Sequence, residues 1–542
     1  MAKKLSRHAF TTFWDAHAWT GVIAGLLLHV MFLTGAIALF RGQLAVWEEP
    51  LAQQRSSVER VGLQATLDQG LAAASETPEE IWLHVPQGDL GVARIHYYAG
   101  GEEVSSWIHE GLVPEREGLS RFLFELHYLW HKATGVWLYY VGGLLSVALL
   151  LALATGVLIH LKDIVRQFHQ FRPDKKRRVL WSDMHKVLGV MGLPFQVLYA
   201  YTGAFIVFLG VLVPAFTGPV FGGDAARADR AVWGASYAEE PAPGAPARGL
   251  ALDELTARAR TAVPGLAPER YRIRHHGLDS ATVDIRGPVE GAPFGRAIVR
   301  LRATDGAVVS VDAPGAEGAR SGALRWIYGL HFADFGGVVL RVLFFALALG
   351  TCATILTGNW IWLARREARR EGLGNRVLAR LTVGFGAGTL VAIAALFLAS
   401  RALPLDWPGR AAAEELTFLA ALGLSVAWAL AARDGASLWW RQIGLAGLLL
   451  LPVPALAARW SGAGLFGAGQ KLGAVVAVDV ALLVTAAALC ASAWALRRAA
   501  RRHAAPQVAQ GEAPAPLADE APAPLAHGGA GLIARRQTAS HG

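Results

Sequence analysis

Eight long apolar stretches constrain the fold of this 542-residue chain more than any other feature. About 20 consecutive apolar residues are enough for a helix to cross a lipid bilayer. Only 17% of the residues are charged, and the mean hydropathy is +0.36. We therefore expect an α-helical integral membrane protein whose first span is a retained anchor, not a removed signal peptide. The predicted spans are residues 18–40, 136–161, 187–213, 336–363, 381–400, 415–432, 439–458 and 472–496.

The positive charge of the chain is concentrated between spans. The net charge is +9, but segment 162–186 alone holds eight Lys and Arg, and segment 364–380 holds six Arg. If the spans alternate in direction, these segments, the N-terminus and the C-terminus all lie on one side. The positive-inside rule makes that side the cytoplasm. The lipid bilayer therefore explains the charge better than nucleic acid does, and no nucleic-acid partner is expected.

The first four spans contain an internal repeat. A shift of 168 residues aligns "HAWTGVIAGLLLHVMFLTGAIALF", which begins at His17, with "HKVLGVMGLPFQVLYAYTGAFIVF", which begins at His185. In the same way, "ATGVLIHLKD" (154–163) matches "LTGNWIWLAR" (356–365). Both halves have an even number of spans and hence the same orientation. The repeat therefore predicts a pseudo-two-fold axis along the membrane normal.

The repeat and the composition divide the chain into four parts. Each half has a large outside loop, about 41–125 and about 217–325, in which a short helix precedes strand-like segments, as in a small α+β module. The only cysteines, Cys352 and Cys490, lie in apolar spans, so no disulfide framework is expected. The predicted parts are residues 1–161, the first repeat; 162–366, the second repeat; 380–498, four additional spans; and 503–542, a disordered Ala/Pro-rich tail.

Histidines are concentrated in the four-helix repeat and are absent from the four later spans. A single membrane histidine is most often a packed, hydrogen-bonded side chain. Seven histidines in one four-helix unit instead indicate a cofactor-binding site. Imidazole is the usual axial ligand of haem iron, and ligands on facing helices of a bundle build such sites. The seven histidines are His17, His29, His127, His131, His160, His185 and His331.

Their positions along the spans predict two levels. His17, His160 and His185 lie at the cytoplasmic ends of spans, and His17 with His185 is the best pair because the repeat relates them. His127, His131 and His331 precede spans at the outer ends. His29 lies between the levels, about 18 Å from His17 along the helix. In the i+4 row His17-Gly21-Gly25-His29, the glycines could admit either a flat macrocycle or a neighbouring helix.

Four stretches and the two outside modules resemble the PepSY-associated transmembrane family, whose members are often called iron-regulated membrane proteins. The resemblance covers about residues 10–366. The stretches are "WDAHAWTGVIAG", "ELHYLWHKATGVW", "LWSDMHKVLGVMGLPF" and "YGLHFADFGGVVLRVLFFALALGTCATILTGNWIW".

The family includes bacterial inner-membrane reductases that hold b-type haems and release iron from ferric siderophores in the periplasm. The resemblance therefore implies an oxidoreductase with a two-fold repeated haem-binding bundle, two haems b and two periplasmic PepSY-like modules. It implies axial ligands at His17, His127, His185 and His331, with His29, His131 and His160 as additional candidates. The implied acceptor is a ferric siderophore or another iron chelate. The donor would be cytoplasmic or a quinone.

Two other functions are compatible with the same architecture. A membrane transporter would suit the repeat and the eight spans. It would, however, be expected to have helices interrupted at mid-membrane, for which Pro194 and Pro214 are the nearest candidates. A regulatory protein without redox activity would use the PepSY-like modules to bind a peptide or a protease. A visible haem spectrum distinguishes the redox function from both.

Overall fold

In the part of the chain that the structure describes, eight helices are long and apolar enough to cross a membrane, which confirms the predicted multi-pass membrane protein. The structure is a computed structural model, and its helices form from the apolar stretches that the sequence shows. It describes residues 6–50, 62–72, 74, 78–86, 92–99, 102–108, 111–129, 135–161, 169–172, 175–233, 244–292, 295–315, 319–333, 335–366, 372–432, 435–461 and 473–504. Residues 505–542 of the predicted tail lie outside these ranges.

The helices of the two halves follow one another in the same order. In the first half they are α1 (Arg7–Ala38), α2 (Arg41–Glu48), α3 (Leu63–Leu71), α4 (Leu119–His127) and α5 (Val136–His160). In the second half they are α6 (Arg177–Met191), α7 (Leu193–Phe221), α8 (Ala225–Trp233), α9 (Leu252–Ala262), α10 (Ala319–Phe332) and α11 (Gly337–Arg366). The remaining helices are α12 (Leu373–Ala402), α13 (Arg410–Ala431), α14 (Gly435–Leu450), α15 (Val453–Ser461) and α16 (Gly473–Ala504).

The spans of the repeat, α1, α5, α7 and α11, form one bundle. Helix α1 packs against both α5 and α11, and α5 packs against α7. Helices α6 and α7 meet at Gly192, where the amide of Gln196 donates to the carbonyl of Gly192 (2.8 Å) and the helical hydrogen bonding continues. The third predicted span, 187–213, is therefore divided between α6 and α7 at Gly192, next to Pro194, although a helical hydrogen bond crosses the division. The seventh predicted span is also divided, between α14 and α15, at Pro452.

The two loops that were predicted to lie outside the membrane share a single antiparallel sheet. Its strands are β1 (Glu80–His84), β2 (Ala93–Ala99), β3 (Glu102–Ile108), β4 (Leu112–Pro114), β5 (Arg270–Arg274), β6 (Thr282–Pro288), β7 (Arg296–Arg302) and β8 (Val308–Asp312). The order is β4-β3-β2-β1-β5-β6-β7-β8, so each loop contributes four strands and the halves join where β1 pairs with β5. Trp82 lies opposite Arg272 in the middle of the paired segments of β1 and β5.

Strand alternation gives the sheet two different faces. On one face, residues such as Ile81, Ile95, Ile273 and Val299 are fully or nearly fully buried in a core that α3 and α9 cover. The other face carries Trp82, His84 and the arginines of β5, β6 and β7, and helices α8 and α10 approach it. The end of the bundle nearest this polar face is called the sheet end, and the opposite end is called the far end.

The four additional spans pack against the outer side of the repeat. Helix α12 contacts α1 and α11, while α13 contacts α4 and α12. Trp47 of α2 is completely buried at this boundary, and its indole Nε1 donates to Asp479 of α16 (2.8 Å). The bundle, the sheet and the spans up to Arg497 belong to the first of two units, residues 1–497. The second unit is residues 498–542.

Candidate functional site

The far end of the bundle brings His17 and His185 together. Their ring centroids are 6.0 Å apart, and the ring planes are close to perpendicular at 76°. His17 lies on α1 and His185 on α6, so each half of the repeat contributes one ring. This is the pair that the internal repeat predicted at one level, and it is called the far pair.

The sheet end holds the second pair, His127 and His331, called the sheet pair. Their ring centroids are 6.3 Å apart with planes inclined at 37°. His127 is the last residue of α4, and His331 lies in the last turn of α10. These short helices precede spans α5 and α11, so the pair again combines one ring from each half.

Hydrogen bonds fix which ring nitrogen is available in all four residues. Nδ1 of His17, His185 and His127 lies 2.8, 2.8 and 2.7 Å from the carbonyl oxygens of Ala152, Thr354 and Met31. A carbonyl only accepts, so each of these Nδ1 atoms must donate. The exception is Nδ1 of His331, which lies 2.8 Å from Oγ1 of Thr202.

The hydroxyl beside His331 leads to the same tautomer. Thr202 Oγ1 donates to the carbonyl of Leu198 (2.7 Å), so its remaining role toward His331 is that of acceptor. Every ring of the two pairs therefore carries its proton on Nδ1 and leaves the Nε2 lone pair free to bind a metal. Proteins orient a metal-binding histidine by a hydrogen bond to the ring nitrogen that does not bind the metal.

A Thr-Gly pair lies against each of these rings. A Cβ at Gly35 would approach ring atoms of His127 to 2.5 Å, and one at Gly156 or Gly358 would approach Cε1 of His17 or His185 to 3.1 Å. At Gly203 the nearest ring atom, Cε1 of His331, would be 3.8 Å away. The absent side chains let the imidazoles pack directly on helix backbone.

The threonines of these pairs reinforce the same contacts. Thr34, Thr155 and Thr357 donate to the carbonyls of Met31, Ala152 and Thr354, at 3.2, 3.1 and 3.0 Å. These are the carbonyls that accept from the histidines. Sequence reasoning used the Thr-Gly pairs only as evidence for the repeat and missed this contact. The recurrence of Thr-Gly in all four spans was the signal that could have revealed it.

The sheet pair lies deeper than the sequence predicted. His127 and His331 were expected to lie before their spans, but the carbonyl oxygen of Tyr128 would lie 3.1 Å from a Cβ on Gly142, inside α5. Gly142 is six residues past the start of α5, which is about 9 Å along a helix. Helix α4 therefore ends beside the bundle, below the start of α5. The distance between the two histidine pairs is shorter than the sequence predicted. Along α1, fourteen residues separate His17 from Met31, or about 21 Å.

His29 belongs to neither pair. It is 3% exposed, and its Nε2 lies 3.3 Å from the carbonyl oxygen of Gly386 on α12. Within the described chain, its Nδ1 has no hydrogen-bond partner. A Cβ on neighbouring Gly25 would lie 3.1 Å from Ile355 of α11, so at this position the glycine row admits a helix. No described atom comes within 4 Å of a Cβ at Gly21.

The two remaining candidates differ in what can be said of them. His160 is the last residue of α5, close enough to His185 for the two rings to interact electrostatically. His160 therefore lies near the far pair, as predicted. His131 lies outside the described residues, so its predicted place beside His127 stays a prediction.

Burial favours neutral rings in the sheet pair. It lowers the pKa of His331 to about 3, and the neighbouring His127 ring lowers that pKa further. Burial also lowers the pKa of His127, against the opposing effect of the Met31 carbonyl. A neutral imidazole is the form that binds a metal. No group of three or more metal-binding side chains occurs among the described residues, and each histidine pair has two Nε2 atoms without a proton.

Two comparisons with known proteins agree with this architecture. The PepSY-associated TM region family matches residues 14–365. The uncharacterized protein PA4219 of Pseudomonas aeruginosa is 32% identical over an alignment of 392 positions, which covers 67% of this chain and 92% of that protein. The match to the family ends where α11 ends, so the four additional spans lie beyond it.

Proposed function

This chain belongs to the PepSY-associated transmembrane family, and we propose that it is a haem-containing electron-transfer protein that reduces a ferric chelate at its sheet end. The single observation that carries the proposal is the pairing of histidines with free Nε2 atoms at two depths. When two imidazoles each bind one metal at about 2 Å, their centroids lie about 6 Å apart. The two pairs, at 6.0 and 6.3 Å, have this spacing.

The donor set fits haem iron better than a free metal ion. A zinc or calcium site needs three or more protein ligands, whereas haem iron takes its equatorial ligands from the porphyrin and only axial ligands from the protein. His17 with His185 would hold one haem, and His127 with His331 would hold the other. Bound haem b would supply reversible one-electron chemistry. The protein holds the rings, fixes their tautomers and sets the polarity around them.

The proposed direction of transfer follows from charge. The basic segments at the far end favour a cytoplasmic position for that end in a bacterial inner membrane, with both termini in the cytoplasm and the sheet in the periplasm. One electron from a cytoplasmic or quinone donor converts Fe(III) in the chelate to Fe(II). A ferric siderophore is the proposed acceptor, because its affinity for Fe(II) is far lower and the metal is released.

Haem stoichiometry tests the proposal directly. Protein purified from haem-replete cells should show a Soret band and two haems b per chain by pyridine haemochrome. His185→Ala and His331→Ala should each lose one of the two, because each removes a ligand from a different pair. His29→Ala is the matched control and should keep both, since His29 packs against α12 and lies outside the pairs.

The haem content and the reoxidation of reduced haem together identify the alternative functions. Colourless wild-type protein would contradict the proposal and favour a transporter or a peptide-binding regulatory protein. Haem that dithionite reduces, but that ferric chelates do not reoxidise and quinones do, would leave an electron carrier with a different acceptor. We expect a ferric siderophore added on the periplasmic side to reoxidise the haem, and His331→Ala to slow this step.

A further inference from the structure

A cavity of about 200 Å³ lies between the polar face of the sheet and helices α8 and α10. Four arginines line it, from three neighbouring strands and from α10. They are accompanied by Tyr328 and by a single acidic residue, Asp312. The arginines are Arg270, Arg286, Arg296 and Arg325.

The acidic residues around this cavity do not balance its positive charge. Arg325 pairs with Asp312 at 2.6 Å, Arg286 with Asp284 at 3.2 Å, and Arg296 with Glu269. Arg270 has no ion pair among the described residues. Burial lowers the pKa of Arg270, and the neighbouring Arg296 and Arg286 lower it further, while Glu269 opposes them. One guanidinium charge is therefore left for a ligand.

Unused hydrogen-bonding atoms lie on the same face. Among described residues, the buried Nε atoms of Arg286 and Arg272 have no partner, and neither has Nε2 of His84. His84 lies opposite Arg270 in the pairing of β1 with β5. Buried polar atoms are nearly always hydrogen-bonded in folded proteins. Several on one face, beside an unbalanced charge, indicate a surface built to receive an acceptor-rich ligand.

The cavity leads toward the sheet pair along α10. Leu324 and Tyr328 both line it, and His331 follows Tyr328 by three residues. Residues at spacings of four and three lie on one side of a helix, so His331 is one turn beyond the cavity wall. A ligand in the cavity would thus lie near the ring where electrons are proposed to leave the protein.

From these observations we propose that the arginine-lined cavity is a binding subsite for a carboxylate or catecholate arm of a negatively charged ferric chelate. The inference rests on the proposed function and names its substrate class. Arginine recognises such oxyanions with paired, charge-assisted hydrogen bonds. Whole drug-sized ligands occupy about 300–1,000 Å³. The cavity therefore holds one arm and leaves the metal-bearing centre outside it, on the side of α10.

Binding of redox-inert gallium(III) chelates tests the subsite without requiring electron transfer. The full-length protein in nanodiscs of zwitterionic lipid should bind an anionic gallium tris-catecholate, measured by calorimetry, more tightly than a cationic gallium trihydroxamate. Arg270→Gln should weaken the anionic complex at least tenfold and leave the cationic complex unchanged. Arg270→Lys should restore part of the affinity.

Arg302→Gln is the matched control. Arg302 is on β7 of the same sheet, but its side chain is 51% exposed and pairs with Asp305 outside the cavity. It should bind both gallium complexes as the wild type does. Equal affinity of wild type and Arg270→Gln for the anionic complex would overturn the proposal, and so would equal losses in both glutamine variants.

A lipid phosphate offers the same oxyanion chemistry, so the experiment separates the two sources. Nanodiscs containing phosphatidylglycerol should leave the affinity for the gallium tris-catecholate unchanged. If phosphatidylglycerol lowers the affinity of the wild type but not that of Arg270→Gln, the cavity is a headgroup site and the chelate proposal is overturned.

The outcomes also separate the subsite from the proposed function. Protein without haem that still binds the anionic complex would refute only the redox function. Haem reoxidised equally fast by anionic and cationic ferric chelates, in wild type and in Arg270→Gln, would refute only the subsite.

Discussion

The two histidine pairs are built from the same repeat but are held differently. Both rings of the far pair donate to backbone carbonyls, Ala152 and Thr354, at equivalent places in the two halves. In the sheet pair, His127 donates to the carbonyl of Met31, whereas His331 donates to the hydroxyl of Thr202. The repeat is therefore symmetric at the far end and asymmetric at the sheet end.

The supporting helices differ in the same way. His17 lies within a membrane span, but both rings of the sheet pair lie near the ends of short helices, α4 and α10, that descend beside the bundle. Two of the additional spans, α12 and α13, contact α4. A pair whose two rings donate to equivalent backbone carbonyls suits a carrier of fixed properties. An asymmetric pair beside a ligand cavity has one ring, His331, whose surroundings can respond to an acceptor.

The largest difference between the pairs should come from adding one methyl group. In Gly35→Ala the new Cβ would lie 2.5 Å from atoms of the His127 ring, a distance at which one group must move. In Gly156→Ala the distance to His17 would be 3.1 Å, which a small shift relieves. We expect Gly35→Ala to reduce the haem content toward one per chain and Gly156→Ala to keep most of both haems, measured by pyridine haemochrome.

Gly21→Ala is the control for this comparison. Its Cβ would meet no described atom within 4 Å, although the residue lies on the same helix. It should keep the wild-type haem content. Full haem content with an unchanged Soret band in Gly35→Ala would show that close packing on the Thr-Gly backbone is not needed for ligation.

A smaller effect should appear when the threonine hydroxyls are removed. Thr202→Val deletes the only acceptor that the structure gives Nδ1 of His331, whereas Thr357→Val leaves His185 its carbonyl at Thr354. A lost hydrogen bond is worth about 1 kcal/mol, which corresponds to tens of millivolts for a one-electron couple. The sheet-end potential should rise in Thr202→Val because the imidazole becomes a weaker electron donor. Redox titration should show little change in Thr357→Val. Equal shifts in both variants would contradict the asymmetry.

Much of this site could be predicted from the sequence because it depends on pattern. Apolar length predicted eight spans, and the 168-residue shift related His17 to His185, which the structure brings to 6.0 Å. The match of 154–163 with 356–365 related the second span to the fourth in the same way. These features are repeated or periodic along the chain, so they can be found without knowing any tertiary contact.

The unpredicted features depend on contacts between segments far apart in sequence. The descent of α4 beside α5 follows from a turn that no periodicity specifies. The pairing of β1 with β5 joins strands almost 200 residues apart, and it places His84 opposite Arg270. The choice of Thr202 over a backbone carbonyl is a local asymmetry within a near-symmetric repeat. A single sequence does not show which of two equivalent acceptors a ring will use.

The smallest expected difference concerns Glu48, which supports α4 and has no counterpart among the described contacts of the far pair. Its carboxylate accepts from the amide of Ser120, 3.1 Å away in the first turn of α4, and from the Ser120 hydroxyl. The adjacent Trp47 is held by Arg401 and Asp479 of the additional spans. Burial raises the pKa of Glu48 to about 7, and Glu414 acts in the same direction while Ser120 and Arg401 oppose it.

The raised pKa of Glu48 predicts a pH dependence confined to the sheet end. Between its ordinary value of 4.5 and about 7, the folded protein holds a proton that the unfolded chain has released. This contribution to stability is complete below pH 4.5 and is lost as the pH rises to 7. The apparent melting temperature should therefore fall by a few degrees over this range, and less in Glu48→Gln. After correction for intrinsic rates, hydrogen exchange in α4 should be faster at pH 8 than at pH 4.5. Exchange in α6, which carries His185, should be the same at these two pH values. Faster exchange in both helices would mean that the far pair shares this dependence, and the two ends of the bundle would then differ only in how their histidines are hydrogen-bonded.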